Sequence, residues 1–185
     1  MLSPAVPDTT MELKAIEPGL SAYTCPQSGG IWLPLQNYLD WKQHLPQPPV
    51  PSPVANAPTP ADDSKRRALV CPESGRLLIR YKVGHGFNFH LDVSPVTGGI
   101  WLDRGEWEAL KGSGRHAELN LIFTASYQRE VRNAEYEEKL TQAFADRIGP
   151  ADFQKVDAFK TWLTTHPKAR DICLYLQHNL AEKAE

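Results

Sequence analysis

The sequence predicts an α+β protein made of two small β units, each followed by a short helix, and a C-terminal helical region. Three observations predict it. One turn–strand–helix pattern occurs twice in the chain. A proline-rich stretch separates the two copies. The last third carries apolar residues at helical spacing. The chain has 185 residues, 41% hydrophobic and 23% charged, an ordinary globular composition and enough length for one or two small domains.

The first unit is read as residues 12–45. Its centre is "CPQSGGIWLPLQNYLDW", residues 25–41, which aligns without a gap to "SPVTGGIWLDRGEWEAL", residues 94–110. Pro26, Gly29, Gly30, Ile31, Trp32 and Leu33 match Pro95, Gly98, Gly99, Ile100, Trp101 and Leu102. Pro-x-Ser/Thr-Gly-Gly marks a tight turn, because glycine adopts positive φ without steric cost. Ile-Trp-Leu then forms a short strand. Leu35, Tyr38, Leu39 and Leu45 continue an apolar helical face in the first copy.

Residues 46–63 hold seven prolines and no Lys or Arg. That composition predicts an extended, polyproline-II-like linker. Its PxxP spacings suit an SH3-type module, but the plain-spacer reading is preferred.

The second unit is read as residues 64–112. "RLLIRYKVGHGFNFHLDV" contains two strand-like runs around Gly84–Gly86, a hairpin signal. Asp103 and Glu106 have the spacing of a capping box, and Trp107 and Leu110 share a face of the helix that follows. Residues 113–182 read as helical. Leu119, Phe123, Tyr127 and Val131 recur at every fourth position, as do Tyr136, Leu140, Phe144 and Ile148 one position out of step. That offset predicts a bend near Asn133. Gly149–Pro150 stops the helix. Phe153, Val156, Phe159, Trp162 and Leu163 predict another, and Pro167 the first turn of a last one that buries Ile172, Cys173, Leu176 and Leu180. Cys173 is expected to be a core thiol.

The residues "CPESG…SPVTGGIWLDRGEWEAL" resemble the transcription-factor-IIB-type zinc-ribbon family of small bacterial proteins. That family's pattern is Cys-Pro-x-Cys-Gly, a hairpin, then Cys-Pro-x-Cys-Gly-Gly-x-Trp-Leu-Asp and a short helix. The match covers residues 71–110 and, as a half-unit with only the second knuckle, 25–41. The resemblance implies a ribbon fold and puts its ligand positions at Cys71, Ser74, Ser94 and Thr97, with Cys25 and Ser28 in the first unit. It does not imply a role in transcription.

A structural zinc site needs about four Cys or His ligands, whereas neutral hydroxyls are poor ligands beside a thiolate. The expectation is therefore a metal-free ribbon with no cofactor, its turns held by Ser and Thr oxygens that accept backbone N–H groups. Trp32, Trp41, Trp101 and Trp107, with Tyr38, are expected to replace the metal's contribution by packing. The alternative is a composite zinc site of Cys25 and Cys71 with His85 or His90.

The function expected is non-catalytic: a protein-interaction or assembly module whose partner is another protein or a second copy of itself. Trp32, Trp41, Trp101 and Trp107 are its interaction candidates. The alternative is nucleic-acid binding through Lys65, Arg66, Arg67, Arg76, Arg80 and Lys82, with Tyr81, Phe87 and Phe89 stacking on bases. Against it stands a formal net charge of −2. No enzyme motif is visible, and nothing fixes Asp103, His116 and Glu118 into an acid–base set. Three cysteines argue for a reducing compartment, and a cytoplasmic location without a signal peptide or membrane span is expected.

Overall fold

Six short strands pair into one antiparallel sheet. They are β1 (Glu12–Glu17), β2 (Leu20–Thr24), β3 (Ile31–Leu33), β4 (Ile79–Lys82), β5 (His90–Val93) and β6 (Ile100–Leu102). Their order across the sheet is β1-β2-β3-β6-β5-β4. The computed structural model describes residues 1–45, 59–61, 67–84 and 86–181. Most of the proline-rich segment, together with Lys65, Arg66 and His85, lies outside the described residues.

The sheet order reads as two three-stranded halves joined edge to edge. In the joining pair, Ile31 faces Leu102, Trp32 faces Trp101 and Leu33 faces Ile100. Each residue thus meets a position of the other repeat, and the two matched tryptophans meet each other. The halves are related by a pseudo-twofold axis through that central pair. Helices α1 (Leu35–Lys42) and α2 (Glu106–Gly112) follow β3 and β6 at the same place in each half.

The period-2 alternation of Ile-Trp-Leu explains why all three residues are buried in both copies. Ile31, Leu33, Ile100 and Leu102 join Leu20, Leu91, Tyr38, Trp41, Trp107 and Leu110 in the main core with α1 and α2. Trp32 and Trp101 join Met11, Cys25, Leu69, Cys71 and Leu78 in a second, smaller core.

The N-terminal half is larger than the half-unit expected over 12–45. Residues 1–11 belong to it: Leu2 bridges Thr10, as Val70 bridges Leu77 in the other half. Ser3-Pro4 therefore stands where Cys71-Pro72 stands, and a turn analogous to the first knuckle is present.

The helical part also differs from expectation. A 3-10 turn (Arg115–Ala117) and α3 (Leu119–Ile122) precede α4 (Ala125–Ile148), α5 (Pro150–Thr164) and α6 (Ala169–Ala181). The break falls at Phe123–Thr124, where the Thr124 hydroxyl accepts the Tyr127 N–H (3.3 Å), and α4 runs unbroken through Asn133. The change of apolar stripe has another cause. Val131 is the one buried residue of α4, and the chain divides into two compact units at 133/134. Residues 113–133 thus belong with the sheet unit rather than with a helical region beginning at 113. Gly149–Pro150 does end α4, with Pro150 in the first turn of α5.

Two further expectations are corrected. Cys173 is exposed, not a core thiol. The capping box forms only by half: Asp103 N–H donates to Glu106 Oε2 (2.8 Å), but Gly105 occupies the N-cap and the Asp103 carboxylate accepts Trp101 Nε1–H instead (2.8 Å). Among the described residues, no helix is long and apolar enough to cross a membrane.

Candidate functional site

Three places in the molecule are candidates: the hooked turns, the joint between the halves and the exposed apolar residues of the helical unit.

Four hooked turns share one hydrogen-bond scheme. The N–H groups of Cys25, Cys71 and Ser94 donate to the carbonyls of Gly30, Arg76 and Gly99 at 2.7–2.8 Å, and that of Ser3 to Thr9 at 2.8 Å. The first side chain of each turn then accepts the N–H three residues on. Ser3 Oγ accepts Val6 (3.2 Å), Cys25 Sγ accepts Ser28 (3.5 Å), Cys71 Sγ accepts Ser74 (3.4 Å) and Ser94 Oγ accepts Thr97 (3.1 Å). Ser28 and Thr97 hydroxyls close the second part of their turns on Gly30 and Gly99 N–H groups (3.2 and 3.3 Å). Thiol and hydroxyl thus do the same structural work, as short side-chain acceptors do in turns.

The turns come in pairs, one pair per half. Cys25 lies with Ser3 and Ser28. Cys71 lies with Ser74 and Ser94, and its Sγ is 4.0 Å from Thr97 Oγ1. Burial pushes both thiols up, but hydrogen bonds outweigh it and the net shift is downward. For Cys25 these come from the Ser28 and Ser3 side chains and from backbone N–H groups. For Cys71 they come from the Ser74 and Ser94 side chains and from backbone N–H groups.

These donor sets do not fit a structural zinc. Each pair offers one thiol, and the remaining positions are hydroxyls or, at Val6, a hydrocarbon. The described residues do not bring the composite site together, and His85 lies outside them. Cys25 and Cys71 sit in different pairs, and the His90 ring faces Arg80 (Nδ1 to Nη2, 3.4 Å). No group of three or more His, Cys, Asp or Glu able to hold a metal occurs among the described residues.

At the joint, the Gly-Gly-Ile-Trp repeat acquires a physical reason. A Cβ on Gly30 would lie 2.3 Å from the Trp101 ring, and one on Gly99 would lie 2.2 Å from the Trp32 ring. The second glycine of each copy makes the slot for the tryptophan of the other. Gly98, at φ +69°, is likewise closed by Leu35, where a Cβ would come within 2.6 Å. Trp32 also reaches across the halves, its Nε1–H donating to Glu73 Oε1 (3.2 Å).

That reciprocity moves the four interaction candidates inside. Trp32, Trp41, Trp101 and Trp107 are all buried. The Trp41 and Trp107 rings pack at a tilt, 5.6 Å apart, with His116 against both, and Trp107 Nε1–H donates to Glu17 Oε1 (3.0 Å). Burial lowers the His116 pKa, reinforced by Lys111 and opposed by a Leu110 backbone hydrogen bond and Glu17. The Tyr38 hydroxyl, pushed up to about 12 by burial, accepts the Leu119 N–H (3.1 Å). These side chains are core, and a surface role for them is corrected accordingly.

Of the nucleic-acid candidates, two are tied into the fold, one of them through its backbone. Arg80 pairs with buried Asp92 (3.7 Å), and the Lys82 backbone is held at both ends by the Gln128 side chain. Tyr81 packs on Phe123 (5.3 Å), and Phe87 packs on buried Phe89 (5.6 Å), so those rings are engaged within the fold. Arg67 and Arg76 are exposed.

The helical unit, from Ala134 on, is the opposite case. None of its α5 residues is buried, and Tyr136, Phe144, Val156, Phe159, Trp162 and Tyr175 are all exposed. Phe144, Ile148, Phe153 and Val156 wall an open pocket of about 350 Å³, with Lys160 and Asp157 at its edge. Sequence periodicity marks these stripes but gives no sign that they lack a core. Comparison with family models, curated proteins and solved structures gives no match to this chain.

Proposed function

We propose that the chain is a non-catalytic assembly protein. In this reading the sheet unit is a pair of degenerate zinc-ribbon-like modules that fold without metal, and the helical unit carries the binding surface. The partner is another protein or a second copy of the chain, met through the apolar stripes of α4, α5 and α6.

One observation carries the proposal. Large apolar side chains recur along the helices from Ala134 onward and stay exposed. Exposed apolar side chains repeated along helices in this way favour association, because leaving apolar surface in water costs about 25 cal/mol per Å². Amphipathic helices bind by laying such a stripe into a groove or against another stripe. The engaged state of Arg80, Tyr81 and Phe89 takes support from the nucleic-acid alternative.

The test compares the full chain with a Phe144→Ser/Phe159→Ser/Trp162→Ser variant. Light scattering over a concentration series reads self-association, and cross-linked purification from the native cell reads other partners. The proposal expects a mass increase, or a retained protein, that the variant loses. A chain that stays monomeric and retains the same proteins as its variant would overturn it.

A further inference from the structure

The four hooked turns form two sets, and the sets have the same anatomy. In each half the first turn lies before the first strand and the second turn between the second and third strands. In each turn, the first residue and the one three positions on are tied by an N–H bond to the first side chain. That yields four equivalent turn positions per half: Cys71, Ser74, Ser94 and Thr97 in one, Ser3, Val6, Cys25 and Ser28 in the other. The second set is not apparent from the repeat alone, because its first turn is one residue longer and shares only a proline.

We infer that each half carries a four-point, tetrahedral-metal type of cradle whose donors are replaced, and that the N-terminal cradle is complete at Ser3, Val6, Cys25 and Ser28. The inference deepens the ribbon part of the proposed function and is independent of the helical surface.

Geometry supports it. Four thiolates at about 2.3 Å from a Zn²⁺ ion stand about 3.8 Å from one another. Cys71 Sγ and Thr97 Oγ1 are 4.0 Å apart, across the two turns of their half. In the N-terminal half, Cys25 reaches both Ser28 on its own turn and Ser3 on the other. The native side chains satisfy the turns through N–H bonds to sulfur and hydroxyl oxygen, and the small core of Met11, Trp32, Leu69, Leu78 and Trp101 lies beside both thiols. The backbone of a metal cradle is thus kept while the ligand chemistry is not. Thiolates at the three other positions would restore a soft, four-sulfur set that selects Zn²⁺ or Co²⁺.

Two variants of the full chain test this. Ser3→Cys/Val6→Cys/Ser28→Cys is titrated with Co²⁺, with Ser74→Cys/Ser94→Cys/Thr97→Cys as the matching variant of the other half. Each is expected to take up one equivalent with the ligand-field spectrum of tetrahedral thiolate coordination, displaced by Zn²⁺, where the native chain gives none. A folded N-terminal variant that binds no Co²⁺, or binds it octahedrally, overturns the inference. The single variant Ser3→Cys keeps the test decisive if the triple variant does not fold. Mild oxidation is expected to link it to Cys25 within one chain, read by peptide mapping, and failure to form that link also overturns the inference. Neither readout depends on association, so a negative result here leaves the helical surface to its own test.

Discussion

The five tryptophans divide unequally between the two units of the molecule, and the division separates scaffold from surface. In the sheet unit, Trp32, Trp41, Trp101 and Trp107 are at most 8% exposed. In the helical unit, Trp162 is 48% exposed, and its ring contacts among the described residues are the sequence neighbours Phe159 and His166. A buried tryptophan removes roughly 150–250 Å² of side chain from water. In the sheet unit that gain is realised inside the chain. In the helical unit the same kind of surface stays exposed, and the proposed association would bury it.

Substituting tryptophans in both units gives the largest contrast. Trp101→Ala or Trp32→Ala is expected to lower stability by about 3–5 kcal/mol, as large core truncations do. Trp162→Ala is expected to change it by less than about 0.5 kcal/mol while weakening association. Chemical denaturation followed by light scattering checks both. Equal destabilisation by Trp162→Ala would break the comparison.

A smaller effect is expected at the joint. Gly99→Ala pushes a methyl group into the Trp32 ring, and Gly30→Ala does the same to Trp101. Overpacking of this kind costs about 1–3 kcal/mol. Because the contacts are reciprocal, the two substitutions should destabilise alike, and a large inequality would argue against the pseudo-twofold joint.

The smallest effect is a pH dependence confined to the sheet unit. Burial lowers the His116 pKa in the folded state, so the unfolded chain binds more protons as pH falls through the ordinary histidine range near 6.5. Stability should therefore be full above that range and decline below it, levelling off beneath the folded-state pKa. His116→Gln should flatten this part of the profile, measured as denaturation midpoint against pH.

Much of the sheet unit was legible in the sequence. The Gly-Gly-Ile-Trp repeat, the short strands and the stop at Gly149–Pro150 are all local signals. What was missed is mostly non-local. Ser3-Pro4 carries no cysteine, so its turn became visible only through the Leu2–Thr10 bridge. The repeat identifies two related units, but not that each glycine slot receives the other's tryptophan. In the helical region, periodicity identifies an apolar face without saying whether anything covers it. That is why Cys173, expected to be core, is exposed, and why the exposure of the stripe from Tyr136 to Ile148 has no sequence signal.

The same limit applies to the candidate site. Tryptophan-rich motifs suggested an interaction surface, yet the sheet unit uses them for packing. The proposed surface lies in helices whose sequences contain no distinguishing motif.

Hydrogen exchange on the full chain at monomeric dilution tests the central claim most directly. Strands β2, β3, β5 and β6 should be strongly protected, whereas α5 and α6 should exchange far faster and gain protection only as concentration rises or a partner is added. If α5 and α6 are as protected as the sheet in the dilute monomer, their apolar faces are covered within the chain and the assembly reading is wrong.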